Sequence, residues 1–454
     1  MMANDKDDIE AQGSQRLSPF RIALKSFTSQ WFLIPQGTGI LAVILHQLHY
    51  QFNGLNIIAD LFWVFTILTL CLFLAIYVVR IMVFPKFVKQ QISSNVMETA
   101  CLSSISITFA LIIQMIALTL PSSWGSGWGM AAYVMFWINV VMAATACIGI
   151  PYVFTKVQGD GVDKVPPSTL LPLIAALTAA ACGGVVCRYG QISASLQVPV
   201  IIVSYLLIGL ALPLSVAIDA VFLTRVFDNA FPMEQKVYQL MMLAGPLGQA
   251  SFALQILGAV VQRGAFAQYN SSTFLDASAG MSVSASSQLL GIITWGYATF
   301  WWGFATIGIL HYIITAPKKL LAWDQSLSAW SIIFPWGVYT NAAVQLGVVL
   351  NSIAFWYVST ILAVLLVLFW LANAAASVLG IINGKVLGLD KGWRGAYWSS
   401  SAEQEKEAAE SGGQSAVNGS AANGKKQNGQ QNGHAHKAPA GWRNGAHEQD
   451  EYTL

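Results

Sequence analysis

The sequence predicts an all-α integral membrane protein in which ten transmembrane helices form five helical hairpins around a central pore. Hydrophobic residues make up 55% of the 454 residues and charged residues only 10%, whereas soluble domains carry roughly 25% charged residues. Ten apolar stretches follow one another between Trp31 and Ile382. Each is long enough to cross a hydrocarbon core of about 30 Å.

The stretches alternate in composition, and this alternation predicts the hairpins. Odd-numbered stretches are rich in Gly, Ala, Ser, Thr and Pro, whereas even-numbered ones are rich in Leu, Val, Phe and Trp. Because small residues let helix backbones approach closely, we expect five inner helices shielded from lipid by five outer ones. The predicted spans are Trp31–Tyr50, Ile57–Met82, Val96–Leu120, Gly127–Phe154, Thr169–Cys187, Gln197–Leu223, Val237–Gln262, Val283–Thr315, Leu327–Leu350 and Ala354–Ile382.

The spans leave a polar tail at each end. Residues 1–30 contain four acids and no apolar core, so we interpret them as a cytoplasmic tail rather than a cleaved signal peptide. Residues 31–382 form the predicted transmembrane transporter or channel domain. Residues 383–454 form a second cytoplasmic tail, and its polar composition from about Ser399 onward predicts disorder. The five cysteines lie inside spans, which indicates packed thiols rather than disulfides.

Basic residues predict the orientation of the spans. Lysine and arginine concentrate in the loops on one side, and the other side has only Arg188 and Arg263. By the positive-inside rule, both termini are therefore cytoplasmic. Asn270-Ser271-Ser272 is a glycosylation sequon in the longest loop assigned to the outside, so we expect Asn270 to carry a glycan. A second sequon at Asn418 lies in the predicted cytoplasmic tail and should stay unmodified.

The motifs of several enzyme classes are missing from the sequence. It contains no Gly-rich phosphate loop followed by Lys and Ser/Thr, no HExxH and no GxSxG. We therefore expect a transporter that is passive or driven by a gradient, not an enzyme, with no cofactor, no metal and no nucleic-acid partner. The lipid bilayer is an expected partner.

Ionisable residues are nearly missing from the predicted spans. Asp60, Glu98 and Asp219 lie near span ends, where we expect water to reach them. Asp219 has two alternative roles. It pairs with Arg225 if the chain leaves the helix between them; otherwise, as a carboxylate inside the membrane, it is a candidate proton site. Arg188 and Arg263 lie at the outer ends of two inner spans. They either draw anions into an outer vestibule or snorkel to the membrane interface.

Weakly polar groups on the inner spans predict an anion path. An anion leaves a pore readily when hydroxyls, helix ends and amide dipoles bind it weakly at several places. The alternative is that the hydroxyls bond to the carbonyl four residues earlier or hold helices together. The candidate pore-lining residues are Gly37, Thr38 and Gly39 in the first span, Ser103 and Ser106 in the third, Gly245 and Gly248 in the seventh, and Thr340 in the ninth.

Prolines recur in the odd-numbered spans, at Pro35, Pro172, Pro246 and Pro335. Pro246 and Pro335 lie far enough inside their spans that we expect each to remove a helical hydrogen bond and kink the helix. Such irregular backbone is tolerated where it lines a water-filled cavity. Pro35 and Pro172 lie within about a turn of a span start, where proline costs little.

Five sequence stretches carry a family resemblance. They are Gln36-Gly37-Thr38-Gly39-Ile40, LLPLIAAL from Leu170, GPLGQASFALQILG from Gly245, WGYATFWWGFA from Trp295 and FPWGVYTNAAVQLG from Phe334. Over about residues 31–382 the chain resembles the tellurite-resistance/dicarboxylate transporter family, which includes slow anion channels, malic acid transport proteins and fungal sulfite efflux pumps. The Gly-Pro-Leu-Gly-Gln run and the Phe-Pro with its downstream Gln-Leu-Gly are most similar to the sulfite efflux branch.

The resemblance implies a ten-helix bundle in five hairpins around a pore, often assembled as a homotrimer. It also implies that a phenylalanine of the ninth helix closes the pore, and Phe334 matches that position; the residues alone equally allow Phe334 to pack between helices. Pro35 departs from the family, whose members more often have Met there.

The leading hypothesis is efflux of a small anion, sulfite first, across the plasma membrane. The alternatives are a malate or C4-dicarboxylate transporter and a membrane scaffold or sensor.

Overall fold

The computed structural model describes residues 18–158, 166–229, 234–267, 275–315 and 327–389. All regular secondary structure in these ranges is helical, so the predicted all-α class is confirmed. Ten long helices carry the apolar stretches. They are α1 (Leu33–Gln47), α2 (Leu55–Val83), α3 (Ser103–Trp124), α4 (Gly127–Val153), α5 (Leu171–Tyr189), α6 (Ala194–Asn229), α7 (Ala244–Gln262), α8 (Ala277–Thr315), α9 (Ile333–Leu350) and α10 (Ile353–Ile382).

Most of these helices are long enough to cross a membrane. Nine helical segments of the described chain have the length and apolar composition of a span, and they contain α2 to α10. The exception is α1, which has 15 residues and follows a 3₁₀ turn over Ser29–Phe32. The prediction of ten spans therefore depends on whether α1 with this turn crosses the bilayer.

The helices pack as five hairpins around a closed inner ring. Each odd-numbered helix contacts the even-numbered helix that follows it, and the odd-numbered helices contact one another in the cyclic order α1, α3, α5, α7, α9 and back to α1. In the most apolar window of each span, 83–100% of the residues are buried for α3, α5, α7 and α9, against 22–33% for the even-numbered helices. This difference confirms the predicted inner and outer helices.

Every inner helix is preceded by a short helical segment, which is a 3₁₀ helix in four cases and an α-helix, Val96–Cys101, before α3. These segments also contact one another in the same cyclic order, so they form a second ring at one end of the bundle, here called the base. The opposite end, where the inner helices finish, is called the top. The base segments are Ser29–Phe32, Val96–Cys101, Pro167–Leu170, Glu234–Leu243 and Leu327–Ile332.

A proline lies at four of these five transitions between a base segment and an α-helix. Pro35, Pro246 and Pro335 are the third residues of α1, α7 and α9, and Pro172 is the second residue of α5. Because each 3₁₀ segment runs directly into its α-helix, the preceding carbonyls are available as acceptors, and a proline in the first α-helical turn cannot donate to them. Pro246 and Pro335 thus lie where a 3₁₀ segment changes into an α-helix, and the expected kink and loss of a helical hydrogen bond there stay predictions.

Part of the predicted N-terminal tail is folded against the base. The helix Pro19–Ser26 buries Leu24. The Lys25 ammonium lies 4.6 Å from the centre of the Phe87 ring, within the range of a cation–π contact. The rest of that tail, and the C-terminal segment for which we expect disorder, lie outside the described residues.

Candidate functional site

The four glycines predicted to line the pore lie where inner helices meet. A Cβ added to Gly37 would lie 2.9 Å from a methyl carbon of Ile333 in α9, and one on Gly39 would lie 3.1 Å from Leu111 in α3. A Cβ on Gly245 would lie 3.0 Å from Ile174 in α5. The absence of side chains at these positions lets the ring close, as expected for small residues in membrane helices.

Gly248 belongs to an aromatic junction between α7, α8 and α9. A Cβ at this position would lie 2.9 Å from the backbone nitrogen of Tyr339. The Tyr339 ring stacks on Trp295 and Trp302, with ring centres 5.0 and 5.2 Å apart. Its hydroxyl lies 3.0 Å from the Thr299 Oγ1. Three of the sequence stretches that carry the family resemblance thus converge on one residue.

The hydroxyls predicted to line the pore have hydrogen-bond partners in the helices. Thr38 Oγ1 donates to the Ile34 carbonyl at 2.8 Å and accepts from Trp370 Nε1 of α10 at 3.0 Å. Ser106 Oγ donates to the Asn139 side chain of α4 at 3.0 Å. Ser103 and Thr340 donate to the carbonyls of Ala100 and Trp336. These contacts favour the alternative in which the hydroxyls bond locally or join helices.

Phe334 lies at the level of the base ring. It is the second residue of α9, directly before Pro335, and only 2% of its surface is exposed. The neighbouring Ile333 contacts the Gly37 position of α1, so this part of α9 faces another member of the ring. The position is compatible with a pore closure, and the gating role stays a prediction.

Buried amides of the inner helices lack partners. Each has at least one side-chain nitrogen or oxygen that is inaccessible to solvent and makes no hydrogen bond with the described residues. An unsatisfied buried polar atom costs about 1–3 kcal/mol, which requires a compensating role. A path that opens through the ring is one such role, because water or a ligand would then reach these amides. The residues are Gln36 of α1, Gln114 of α3, Gln249 and Gln255 of α7, and Asn341 and Gln345 of α9.

A buried ion pair at the base corrects the expectation that Glu98 lies within reach of water. Glu98 and Arg80 are each about 1% exposed, and an Arg80 nitrogen contacts a Glu98 carboxylate oxygen. The carboxylate also accepts from the Ser29 N–H at 3.0 Å and from the Tyr77 hydroxyl at 3.1 Å. Arg80 Nε donates to the Lys25 carbonyl at 3.3 Å. Since both charges are compensated, the pair adds no net charge and joins four chain segments.

The sequence contains a signal for this pair. Arg80 is the single charged residue that follows Asp60 within the second apolar stretch. Charged residues inside membrane helices usually pair with one another, and Glu98 begins the next inner span. The pairing could therefore have been proposed from the sequence.

Asp219 is fully buried in α6, and neither carboxylate oxygen has a hydrogen-bond partner among the described residues. The proposed pairing with Arg225 required the chain to leave the helix between the two residues. Instead α6 runs unbroken over Ala194–Asn229, which places residues six apart away from each other's face. Asp219 therefore does not pair with Arg225.

Arg188 and Arg263 lie at the top and share a cavity of about 240 Å³. Arg188 is in the last turn of α5, and Arg263 directly follows α7. The structure thus brings together the two residues predicted for an outer vestibule. Asn270, the predicted glycosylation site, lies outside the described residues.

Comparison with known proteins identifies the family of this bundle. The family model described as voltage-dependent anion channel, SLAC1, matches residues 26–378. The chain belongs to this family. As a member of the SLAC1/tellurite-resistance and dicarboxylate transporter family, it is an integral membrane anion transporter, so the predicted resemblance is confirmed. The match covers all ten helices apart from the end of α10.

Relatives of this SLAC1-family chain include proteins with named substrates. The sulfite efflux pump SSU1 of Arthroderma benhamiae is 28% identical over 361 residues, which is 79% of this chain and 91% of the pump. The malic acid transport protein of Schizosaccharomyces pombe is 22% identical over 355 residues, which is 78% of each protein. An uncharacterized transporter of Methanocaldococcus jannaschii is 23% identical over 80% of this chain and 97% of its own length.

Proposed function

We propose that this protein exports a small anion, sulfite first, across the plasma membrane through the ring formed by α1, α3, α5, α7 and α9. The observation that carries the proposal is the set of unpartnered amides on four of these five buried helices. Amide groups are neutral dipoles that bind an anion weakly, so it can also leave. The Arg80–Glu98 ion pair lies at the base, where its two charges compensate each other.

The choice of sulfite is supported by similarity. The sulfite efflux pump of Arthroderma benhamiae is more similar to this chain than the malic acid transport protein of Schizosaccharomyces pombe, at 28% against 22% identity. The electrostatics agree, because a dicarboxylate carries two charges and favours a basic residue in the path. Among the described residues of the inner helices, the basic side chains lie at the ends of the ring, at His46, Arg188 and Arg263.

The direction of the proposed export depends on the orientation of the bundle. By the positive-inside rule, the basic loops predict that the base and both termini are cytoplasmic and that the top faces outside. Phe334 then lies at the cytoplasmic level of the ring, where it would close the path. Pro35, Pro172, Pro246 and Pro335 fix the starts of the α-helices around it. Assembly as a homotrimer, implied by the family resemblance, completes the proposal.

Flux measurements on the full chain in lipid vesicles test this function. We expect sulfite efflux that exceeds flux from protein-free vesicles and is larger than the flux of labelled malate. Repeating both measurements with and without a pH gradient separates passive from proton-coupled transport. Flux of malate without flux of sulfite would overturn the substrate and support the dicarboxylate alternative.

A scaffold or sensor role predicts a different outcome. If the polar tail recruits partners, removal of everything after Ser399 abolishes the cellular function although the spans still insert. Under the proposed transport function, the same truncation leaves sulfite efflux from vesicles unchanged. Loss of efflux in a correctly folded truncated protein would count against the assignment of transport to residues 31–382 alone.

A further inference from the structure

The cavity at the top lies beside the ring, between the ends of α5 and α7 and the start of α6. It measures about 240 Å³. Two cationic side chains and several polar or small residues surround it, and no carboxylate is among the described residues that do so. The lining includes Cys187, Arg188, Ala194, Gln197, Arg263 and Gly264.

We infer that Arg188 and Arg263 form a binding site for a small inorganic oxyanion. An arginine side chain has five N–H donors and no acceptor, and its fork matches the oxygens of an oxyanion. The buried Nε of Arg188 makes no hydrogen bond to any described residue. Its guanidinium carbon lies 5.4 Å from the centre of the Tyr189 ring, which holds the group in place.

Charge repulsion within the cavity supports the same ligand class. Arg188 is half-buried and Arg263 is exposed, so solvent screens part of their mutual repulsion, and an anion bound between them removes the remainder. The carboxylate of Asp276, which lies at the start of α8, is not part of the lining. It accepts from the Ala279 N–H at 2.7 Å and from the Ser278 hydroxyl at 2.8 Å, and these bonds lower the pKa of Asp276. Asp276 is thus committed to capping α8.

Helix dipoles account for only part of the arrangement. A cation near a helix C-terminus is stabilised by the helix dipole, and both arginines lie at such ends. That effect explains why α5 and α7 each have a basic residue at the C-terminal end. It requires neither a common cavity nor a buried Nε without an acceptor, and both of these features indicate a ligand.

The size of the cavity limits the ligand. Pockets for drug-sized organic molecules usually measure roughly 300–1,000 Å³, and each water molecule occupies about 30 Å³ in the liquid. The cavity therefore suits an oxyanion of the size of sulfite or sulfate together with a few waters. The identification of the natural ligand with the exported anion rests on the proposed function. The existence of the site does not depend on that function.

Thermal unfolding of the full chain in detergent tests the site, with sodium sulfate as the probe and sodium gluconate keeping the ionic strength constant. A ligand that binds only the folded protein raises the unfolding midpoint in a saturable way. We expect such a rise for the natural sequence and an apparent affinity at least about tenfold weaker for Arg188→Gln and for Arg263→Gln. Arg188→Lys keeps the charge but not the fork, so its affinity should be intermediate.

The matched control is Arg21→Gln, which removes an exposed arginine at the base and should leave the sulfate response unchanged. An equal response in Arg188→Gln, or a non-saturating rise in the natural sequence, would overturn the site. If Arg188→Gln does not elute as a folded protein in gel filtration, Arg188→Lys and Arg263→Gln decide the same question.

Sulfite flux from vesicles separates this inference from the proposed function. If the natural sequence moves no sulfite but its sulfate response still requires Arg188, the site stands and the function fails. If sulfite is exported and Arg188→Gln keeps the full sulfate response, the function stands and the site fails.

Discussion

The Arg80–Glu98 pair shows how a charged side chain becomes compatible with the interior of a membrane bundle. Removing two charges from water costs several kcal/mol for each ion, and their attraction offsets this only when further hydrogen bonds satisfy the remaining donors and acceptors. Glu98 meets this condition through Ser29 and Tyr77, and Arg80 through the Lys25 carbonyl. The pair therefore fixes the base segment before α1 to α2 and to the segment before α3.

Replacement of one partner tests this role. We expect Glu98→Gln to destabilise the fold by about 3–5 kcal/mol, because the Arg80 guanidinium would remain buried without a counter-charge. Thermal unfolding in detergent measures the effect as a lower midpoint. The double variant Arg80→Met with Glu98→Met removes both charges and should recover part of the loss. Equal midpoints for Glu98→Gln and the natural sequence would show that water reaches the pair.

Phe334 is the second residue whose role can be tested singly. Its ring is buried at the base level of the ring of inner helices. If it closes the path, Phe334→Ala opens it and raises anion conductance severalfold in reconstituted bilayers. Phe300→Ala is the matched control, since Phe300 is 48% exposed on the outer helix α8 and should not affect conductance. Unchanged conductance in folded Phe334→Ala would indicate that the ring only packs between helices.

At the scale of the helix, each inner element consists of a base segment and an α-helix, and sequence reasoning predicted this only in part. The composition of the spans predicted which helices are inner, because small residues and close packing are directly related. The change from a 3₁₀ segment to an α-helix near Pro246 and Pro335 could not be predicted, because both kinds of helix have similar apolar patterns. The partners of Thr38 and Ser106 lie 332 and 33 residues away, so no local pattern could indicate them.

The approach of α7 to α9 can be tested at Gly248. A methyl group there would lie 2.9 Å from the Tyr339 backbone nitrogen and 3.0 Å from its Cα. Since backbone cannot rotate away as a side chain can, we expect Gly248→Ala to cost about 1–3 kcal/mol and to lower sulfite flux.

The control for this variant is Gly296→Ala in α8, where an added Cβ meets no atom within 4 Å. Replacing glycine inside a helix is favourable by about 0.5–1 kcal/mol when no clash occurs. Unfolding midpoints of both variants should therefore move in opposite directions. A Gly248→Ala protein as stable as Gly296→Ala would show that the ring is not closely packed at this junction.

At the scale of the whole molecule, the two ends of the bundle differ in their charged groups as well as in their topology. The base holds the ion pair and receives the cationic helix Pro19–Ser26, whereas the top holds two arginines around one cavity. The cyclic order of the five hairpins could not be read from the sequence, since it depends on contacts between residues far apart in the chain. The orientation in the membrane, in contrast, is a statement about loop charges and remains a prediction from the sequence.

Glycosylation tests that orientation. If the top faces outside, Asn270 in the loop between α7 and α8 is modified when the protein is expressed in a eukaryotic host, and Asn418 in the C-terminal tail is not. Asn270→Gln should therefore abolish the glycan-dependent shift in gel mobility, because both sequons are chemically equivalent acceptors and only their side of the membrane differs. Asn418→Gln is the matched control and should leave the shift intact. A shift that disappears with Asn418→Gln instead would place the tail outside and invert the bundle, so that Phe334 would face the exterior and the cavity between Arg188 and Arg263 the cytoplasm.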